Sequence, residues 1–160
     1  QDGGLFPHRR VVDNVATVPI LEGMPKSDAK QLALEMMDLV GLDRTLADRF
    51  PSQLSGGQRQ RVGVARALAN HPKVILMDEP FVGLDPLASH QLKQTMRAFC
   101  DAGGAIFFST HVLEVAEKLC DQVAILRQGR LVRAGSMAEV RGDASLESVF
   151  LELEGVQDGH

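Results

Sequence analysis

Tyrosine and tryptophan are absent from this 160-residue chain, cysteine occurs only twice, and basic residues are outnumbered by acidic ones, 17 to 21. Each shortage excludes something. Cys100 and Cys120 stand singly inside apolar helical patterns, without the paired spacing of a metal site, and are expected as buried reduced thiols. A net charge of -4 argues against a surface built to neutralise phosphate backbones, so no nucleic-acid partner is expected. No apolar run approaches the roughly 18 residues of a membrane span, and no charged-then-apolar signal segment opens the chain. A soluble, cytoplasmic polypeptide is the expectation. No internal repeat is visible. No glycine is followed by lysine, so the glycine-rich loop that cradles nucleotide phosphates is spelt nowhere. The first residue is Gln1 rather than Met, which suggests a start inside a longer protein.

What is present is enough for one core, because 44% of the residues are hydrophobic. Residues 1–70 read as a small helical subdomain. An apolar stretch runs from Val11 to Leu21, then Ser27 and Asp28 open a helix through Val40 that Gly41 stops. Its face is expected on Leu32, Met36 and Leu39. After Pro51, the Ser55-Gly56-Gly57 segment leads a helix to Asn70. Residues 71–160 change character. Val74 to Met77 is a short apolar run, expected as a buried strand ending in Asp78-Glu79. Asp85-Pro86 caps a helix striped by Leu92, Met96, Phe99 and Cys100 and closed by Gly103-Gly104. Ala105 to Phe108 reads as a second buried strand, Ser109-Thr110 as the cap of a helix to Leu119, and Gln122 to Leu126 as a third strand. A Gln128-Gly129 turn leads into Arg130 to Ala134, and Leu146, Val149, Phe150 and Leu153 stripe a last helix. Strand, helix, strand, helix, strand predicts an α/β fold with a mainly parallel sheet.

The acid pair at the end of the first strand suits phosphoryl transfer, where positioning and charge matter more than covalent steps. Asp78 is the candidate for holding a magnesium ion through its water shell, and Glu79 for polarising the attacking water. Alone, an apolar strand ending in Asp-Glu is a common pattern. The Leu54-Ser55-Gly56-Gly57-Gln58 segment is more specific: two glycines and a serine at a helix start let backbone approach an anion at the positive end of the helix. Together with Arg59-Gln60-Arg61-Val62 it resembles the signature motif of ABC transporter ATP-binding subunits.

That resemblance implies a P-loop NTPase fold with ATP and Mg2+ as cofactors, a head-to-tail dimer with a second ATPase subunit, membrane permease subunits as partners, and a place on the cytoplasmic face of the membrane. It implies that Ser55, Gly56, Gly57 and Gln58 cover the γ-phosphate held by the partner subunit. It also implies that Asp85, in Gly83-Leu84-Asp85, belongs to the loop crossing to that partner, a role compatible with capping a helix. His111 matches the switch histidine that senses the γ-phosphate; a lone histidine after a strand is otherwise an ordinary surface residue. Gln1, followed by Leu5-Phe6-Pro7-His8, matches the glutamine that contacts magnesium and attacking water, or is simply a solvated chain end.

The pattern departs from the family in one respect. The phosphate loop, its strand and helix, and the aromatic that stacks on adenine have no counterpart, so the chain resembles only the downstream part of the domain. It is expected to be inactive alone. Gln1 to Phe81 is similar to osmoprotectant and amino-acid importer ATPases, and the part from Gly83 onward to exporter-type ATPases, with Val82 at the seam. Two other readings remain: a DNA-repair or chromosome-maintenance ATPase, which the short interval from Gln1 to Ser55 disfavours because it leaves no room for a coiled coil, and a degenerate regulatory fragment.

Overall fold

The computed structural model describes residues 4–155, which group into two compact units, residues 1–109 and 110–160 of the chain.

The first unit begins with two short helices, α1 (Val11–Val15) and α2 (Thr17–Leu21), and continues with α3 (Lys26–Leu39) and α4 (Gly56–Leu68). α3 has the expected length, and Gly41 follows it at φ 68. That glycine is required by its backbone conformation. Its φ lies in the left-handed region, and a Cβ there would sit 2.2 Å from Gln91 Oε1. The carbonyl of Gly41 accepts from Arg61 Nη1 at 2.7 Å, tying the end of α3 to α4. The buried face of α3 is not Leu32, Met36 and Leu39 but Ala29, Ala33 and Met37, each fully buried, while Leu39 is 48% exposed. Alanines spaced four apart let α1 and α4 approach the α3 axis closely, and the larger residues are displaced to the flanks.

The α/β part of this unit is β1 (Val74–Asp78), α5 (Pro86–Asp101) and β2 (Ala105–Ser109). β1 and β2 pair in parallel, with Val74 opposite Ala105 and Asp78 opposite Ser109. Parallel strands need a long crossover, and α5 supplies it. Leu92 and Met96 of α5 are buried as expected, whereas Phe99 and Cys100 are half-buried. The two strands are not buried on both faces. Ile75 is inside, but the opposite face carries Val74 at 53%, Leu76 at 79% and Phe107 at 66% exposure. A continuous apolar run anticipates a layer on each face of the sheet, and only one face is covered here.

The second unit holds α6 (Leu113–Leu119), β3 (Gln122–Arg127), β4 (Arg130–Ser136), α7 (Met137–Arg141) and α8 (Leu146–Gly155). α6 starts later than expected, and neither Ser109 nor Thr110 caps it: the residue before it is Val112, without a side-chain cap. β3 joins no parallel pair. It forms an antiparallel hairpin with β4, because Gln128 and Gly129 both take positive φ, the left-handed pair that a two-residue hairpin turn demands. The core of this unit is Ala116, Ile125, Val140, Leu146 and Val149, with Phe150 and Leu153 packed against it, so the striped last helix docks as anticipated. Glu117 fastens the helices together. Its carboxylate accepts from Arg141 Nη1 at 2.8 Å and from the Leu146 amide that opens α8 at 2.9 Å. The two cysteines form no disulfide and are half-buried rather than buried. Among the described residues no helix is long and apolar enough to cross a membrane.

Candidate functional site

Asp78 closes β1 at the carboxyl end of the parallel pair, where ligands bind in open α/β sheets. Its register partner Ser109 donates from Oγ to Asp78 Oδ1 at 2.5 Å. The next residue, Glu79, leaves the strand with φ 46. For a residue with a side chain the left-handed region costs about 1–2 kcal/mol, so local contacts must hold it. Among them, the Glu79 amide donates to the carbonyl oxygen of Ser109 at 3.2 Å and to Ser109 Oγ at 3.2 Å, and the Glu79 carbonyl accepts from the Val82 amide at 3.2 Å. Pro80, fully buried, then fixes the exit from the strand. Asp78 and Glu79, the two acids singled out in the sequence, therefore share a strand tip and a common partner. Asp78 also borders a groove lined by Gln60, Gly63 and Arg66 of α4 and by Leu76.

The loop after the acid pair is pinned by packing. The Phe81 ring meets Phe108 of β2 edge-on at 5.9 Å, with Lys93 Nζ 5.5 Å from its centroid. Asp85 ends the loop and caps α5, its Oδ1 accepting from the Ala88 amide at 2.9 Å. Backbone amides, that of Ala88 foremost, hold the Asp85 carboxyl below its ordinary value.

The Ser55-led segment forms the start of α4 as a reciprocal cap. Ser55 Oγ accepts from the Gln58 amide at 3.2 Å, and Gln58 Oε1 accepts from the Ser55 amide at 2.9 Å. The Gly56 and Gly57 amides are left without an intrahelical acceptor, at the end of the helix that carries about half a positive charge. Ser55 and Gly56 are exposed while Gly57 is buried. Gly57 lies against the loop after the acids: a Cβ on it would come within 2.9 Å of the Gly83 carbonyl oxygen and 3.2 Å of Leu84 Cδ2. The structure thus brings Gly57 against Gly83 and Leu84.

A second anchored loop runs from Gly4 to Arg10. Asn14 on α1, fully buried, accepts from the Phe6 amide at 2.8 Å and donates to the carbonyls of Phe6, Arg9 and Arg10 at 3.0–3.1 Å. Arg66 of α4 donates to the Gly4 carbonyl at 2.8 Å and stands 5.9 Å from the Phe6 ring centroid. Arg10 forms an exposed ion pair with Asp48. Gln1 lies outside the described residues. His111 belongs to the second unit, where it is exposed two residues before α6 begins. Among the described residues no cluster of three metal-ligating side chains occurs.

Sequence reasoning missed Ser109 as the partner of both acids and Asn14 as the buried anchor. Ser109 could be found only by knowing the strand register. Asn14 shows in the sequence as the one polar residue between Val12 and Val15 on a short apolar helix besides Asp13.

A glycine-led helix start thus lies against the loop that follows an acidic strand tip. Residues 1–82 match the ABC transporter family profile, and the chain belongs to that family. It is 44% identical over 137 residues to the glycine betaine uptake system ATP-binding protein YehX of Escherichia coli K12, covering 85% of this chain and 44% of that protein. It is 46% identical over 144 residues to the methionine import ATP-binding protein MetN of Cupriavidus pinatubonensis, covering 88% of this chain and 41% of that protein. A solved dimeric post-hydrolysis state of an ATP-binding cassette with ADP and Pi superposes with a TM-score of 0.80 at 31% identity, over 86% of this chain and 60% of that one. The fold is accordingly that of the ABC cassette, of P-loop NTPase type. The chain spans less than half the length of these two curated relatives. Both alignments run across Val82, so similarity to uptake-system ATPases is not confined to the front half.

Proposed function

We propose that this chain is the downstream part of an ATP-hydrolysing subunit that powers an ABC membrane transporter. The observation that carries the reading is the pairing, within one compact unit, of an acidic strand tip with a serine-capped, glycine-led helix start.

Asp78 holds Mg2+ through water and Glu79 orients the attacking water. An exposed carboxylate suits a hard cation, and with no third acidic or histidine ligand nearby among the described residues the ion would need nucleotide oxygens and water as well, which is how Mg2+ is usually held. Bound there, Mg2+ would neutralise charge developing on the phosphoryl oxygens. His111 senses the γ-phosphate, and Gln1 contacts the metal and the water. Ser55, Gly56, Gly57 and Gln58 offer their helix start to the nucleotide of a second, head-to-tail subunit, and Asp85 lies on the loop that crosses to it. The contact of Gly57 with Gly83 supports one continuous partner-facing surface. Residues 1–70 act as the helical subdomain that meets permease subunits at the cytoplasmic face, and residues 71–160 as the catalytic core portion. The relatives' uptake roles support an importer.

The phosphate loop belongs to a further layer of the domain outside these residues, a reading supported by the exposed Val74, Leu76 and Phe107 face. Residues 1–160 titrated calorimetrically with ATP and Mg2+ are therefore expected to bind more weakly than about 100 μM, a loss of some 2.7 kcal/mol against 1 μM. Micromolar affinity would overturn the assignment of the phosphate clamp to residues elsewhere.

A further inference from the structure

We infer that Ser109 is a positioning residue for the acid pair, setting the geometry of Asp78 and Glu79 through a single hydroxyl; this rests on the ATPase reading above. A serine hydroxyl has one hydrogen to donate and two lone pairs to accept with. Here the hydrogen goes to Asp78 Oδ1 at 2.5 Å and a lone pair takes the Glu79 amide at 3.2 Å. The Ser109 carbonyl takes the same amide at 3.2 Å.

The parallel register makes this possible, since Asp78 and Ser109 are opposite residues at the last rung of the β1–β2 pair. A hydroxyl donating to a carboxylate makes a short, charge-assisted bond, so one oxygen of Asp78 is fixed and the rotation of the carboxylate about its Cβ is arrested. The other acid is reached through its backbone. Glu79 sits at φ 46, a conformation that persists only where neighbours enforce it, and its amide is held by two atoms of Ser109. Removing the hydroxyl frees the Asp78 oxygen and takes away one of the two Ser109 acceptors of the Glu79 amide, without touching either acid. Ser109 reaches the chemistry through these two residues and need not touch the substrate.

The test uses the full-length subunit that contains this chain. Ser109→Thr keeps a hydroxyl and Ser109→Val is the isostere of that threonine with a methyl group in its place; Ser109→Ala serves as a second hydroxyl-free variant should valine disturb folding. Three quantities are read: hydrogen exchange of the Glu79 amide by NMR, ATP affinity with Mg2+ and with EDTA, and steady-state kcat and KM. In Ser109→Val and Ser109→Ala, loss of one acceptor of the Glu79 amide is expected to speed its exchange up to about tenfold, and loss of the hydroxyl's bond to the Asp78 carboxylate to lower kcat about tenfold. ATP affinity in EDTA should stay within about twofold, and the Mg2+-dependent gain in affinity should shrink. Ser109→Thr should restore all of these to within about threefold. A purely structural role would lower thermal stability in both hydroxyl-free variants and leave the Mg2+-dependent gain and kcat unchanged; that result overturns the inference. Glu79→Gln is measured alongside. If it is inactive and the Ser109 variants are silent, Ser109 alone is misassigned. If Glu79→Gln turns over ATP undiminished, the ATPase assignment of the acid pair fails first and Ser109 with it.

Discussion

Gly57 and its neighbour Gly56 offer the same substitution at two adjacent positions with opposite surroundings. Both open α4, and neither has a positive φ. At Gly56 an added Cβ meets nothing within 4 Å; at Gly57 it would lie 2.9 Å from the Gly83 carbonyl oxygen and 3.2 Å from Leu84 Cδ2. The nearer obstacle is backbone, which cannot rotate away as a side-chain tip can. Overpacking of this kind costs about 1–3 kcal/mol. Alanine also gains helix propensity over glycine, up to about 1 kcal/mol in a helix interior and less in the first turn. That gain is common to both variants and cancels in their difference. Gly56→Ala is expected to be neutral or slightly stabilising, and Gly57→Ala to be less stable than Gly56→Ala by about 1–3 kcal/mol, or about 2–4 °C in Tm per kcal/mol. Urea unfolding followed by circular dichroism reads the difference directly. Equal midpoints for the two variants would refute the claim that Gly57 is packed on Gly83 and Leu84.

Asn14→Ala should cost about 2–4 kcal/mol in the same assay, because the Phe6 amide loses its side-chain acceptor and the carbonyls of Phe6, Arg9 and Arg10 each lose a side-chain donor at once. Asn14→Asp, which keeps the acceptor but brings a negative charge against three carbonyl oxygens, should not rescue it. In the second unit, the Leu146 amide foremost and then Arg141 hold the Glu117 carboxyl below its ordinary value. A group with a lowered folded pKa adds stability that is fully present above the ordinary carboxylate value of about 4.3 and lost as pH falls through the folded one. Unfolding of the second unit should therefore ease as pH drops below about 4, and Glu117→Gln should be less stable than the parent at pH 7 and converge with it near pH 2. Parallel pH curves would contradict this role for Glu117.

Much of the fold is legible in the sequence because its signals are local. The Ser55 to Gln58 cap, the Asp85-Pro86 helix start, the glycine after α3 and the Gln128-Gly129 turn each act within a few residues, and each forms as the pattern anticipates. What escapes is non-local. Ala29, Ala33 and Met37 win the buried face of α3 because of what packs on them, although hydrophobicity alone ranks Leu32, Met36 and Leu39 higher. The short apolar runs of β1 and β2 announce strands but not how many faces are covered, and Leu76 and Phe107 stay exposed. Ser109 looks like a helix cap next to Thr110 until the register of β2 against β1 sets it opposite Asp78. The acids themselves were visible; the residue that holds them was not.

Hydrolysis is expected to depend on Glu79. In the full-length subunit carrying this chain, Glu79→Gln keeps the shape of the side chain but removes the charge that polarises the water. Phosphate release under saturating ATP and Mg2+ is expected to fall by at least about a hundredfold, while ATP still binds and size-exclusion chromatography shows an ATP-dependent dimer. Turnover undiminished in Glu79→Gln would contradict the account at its centre.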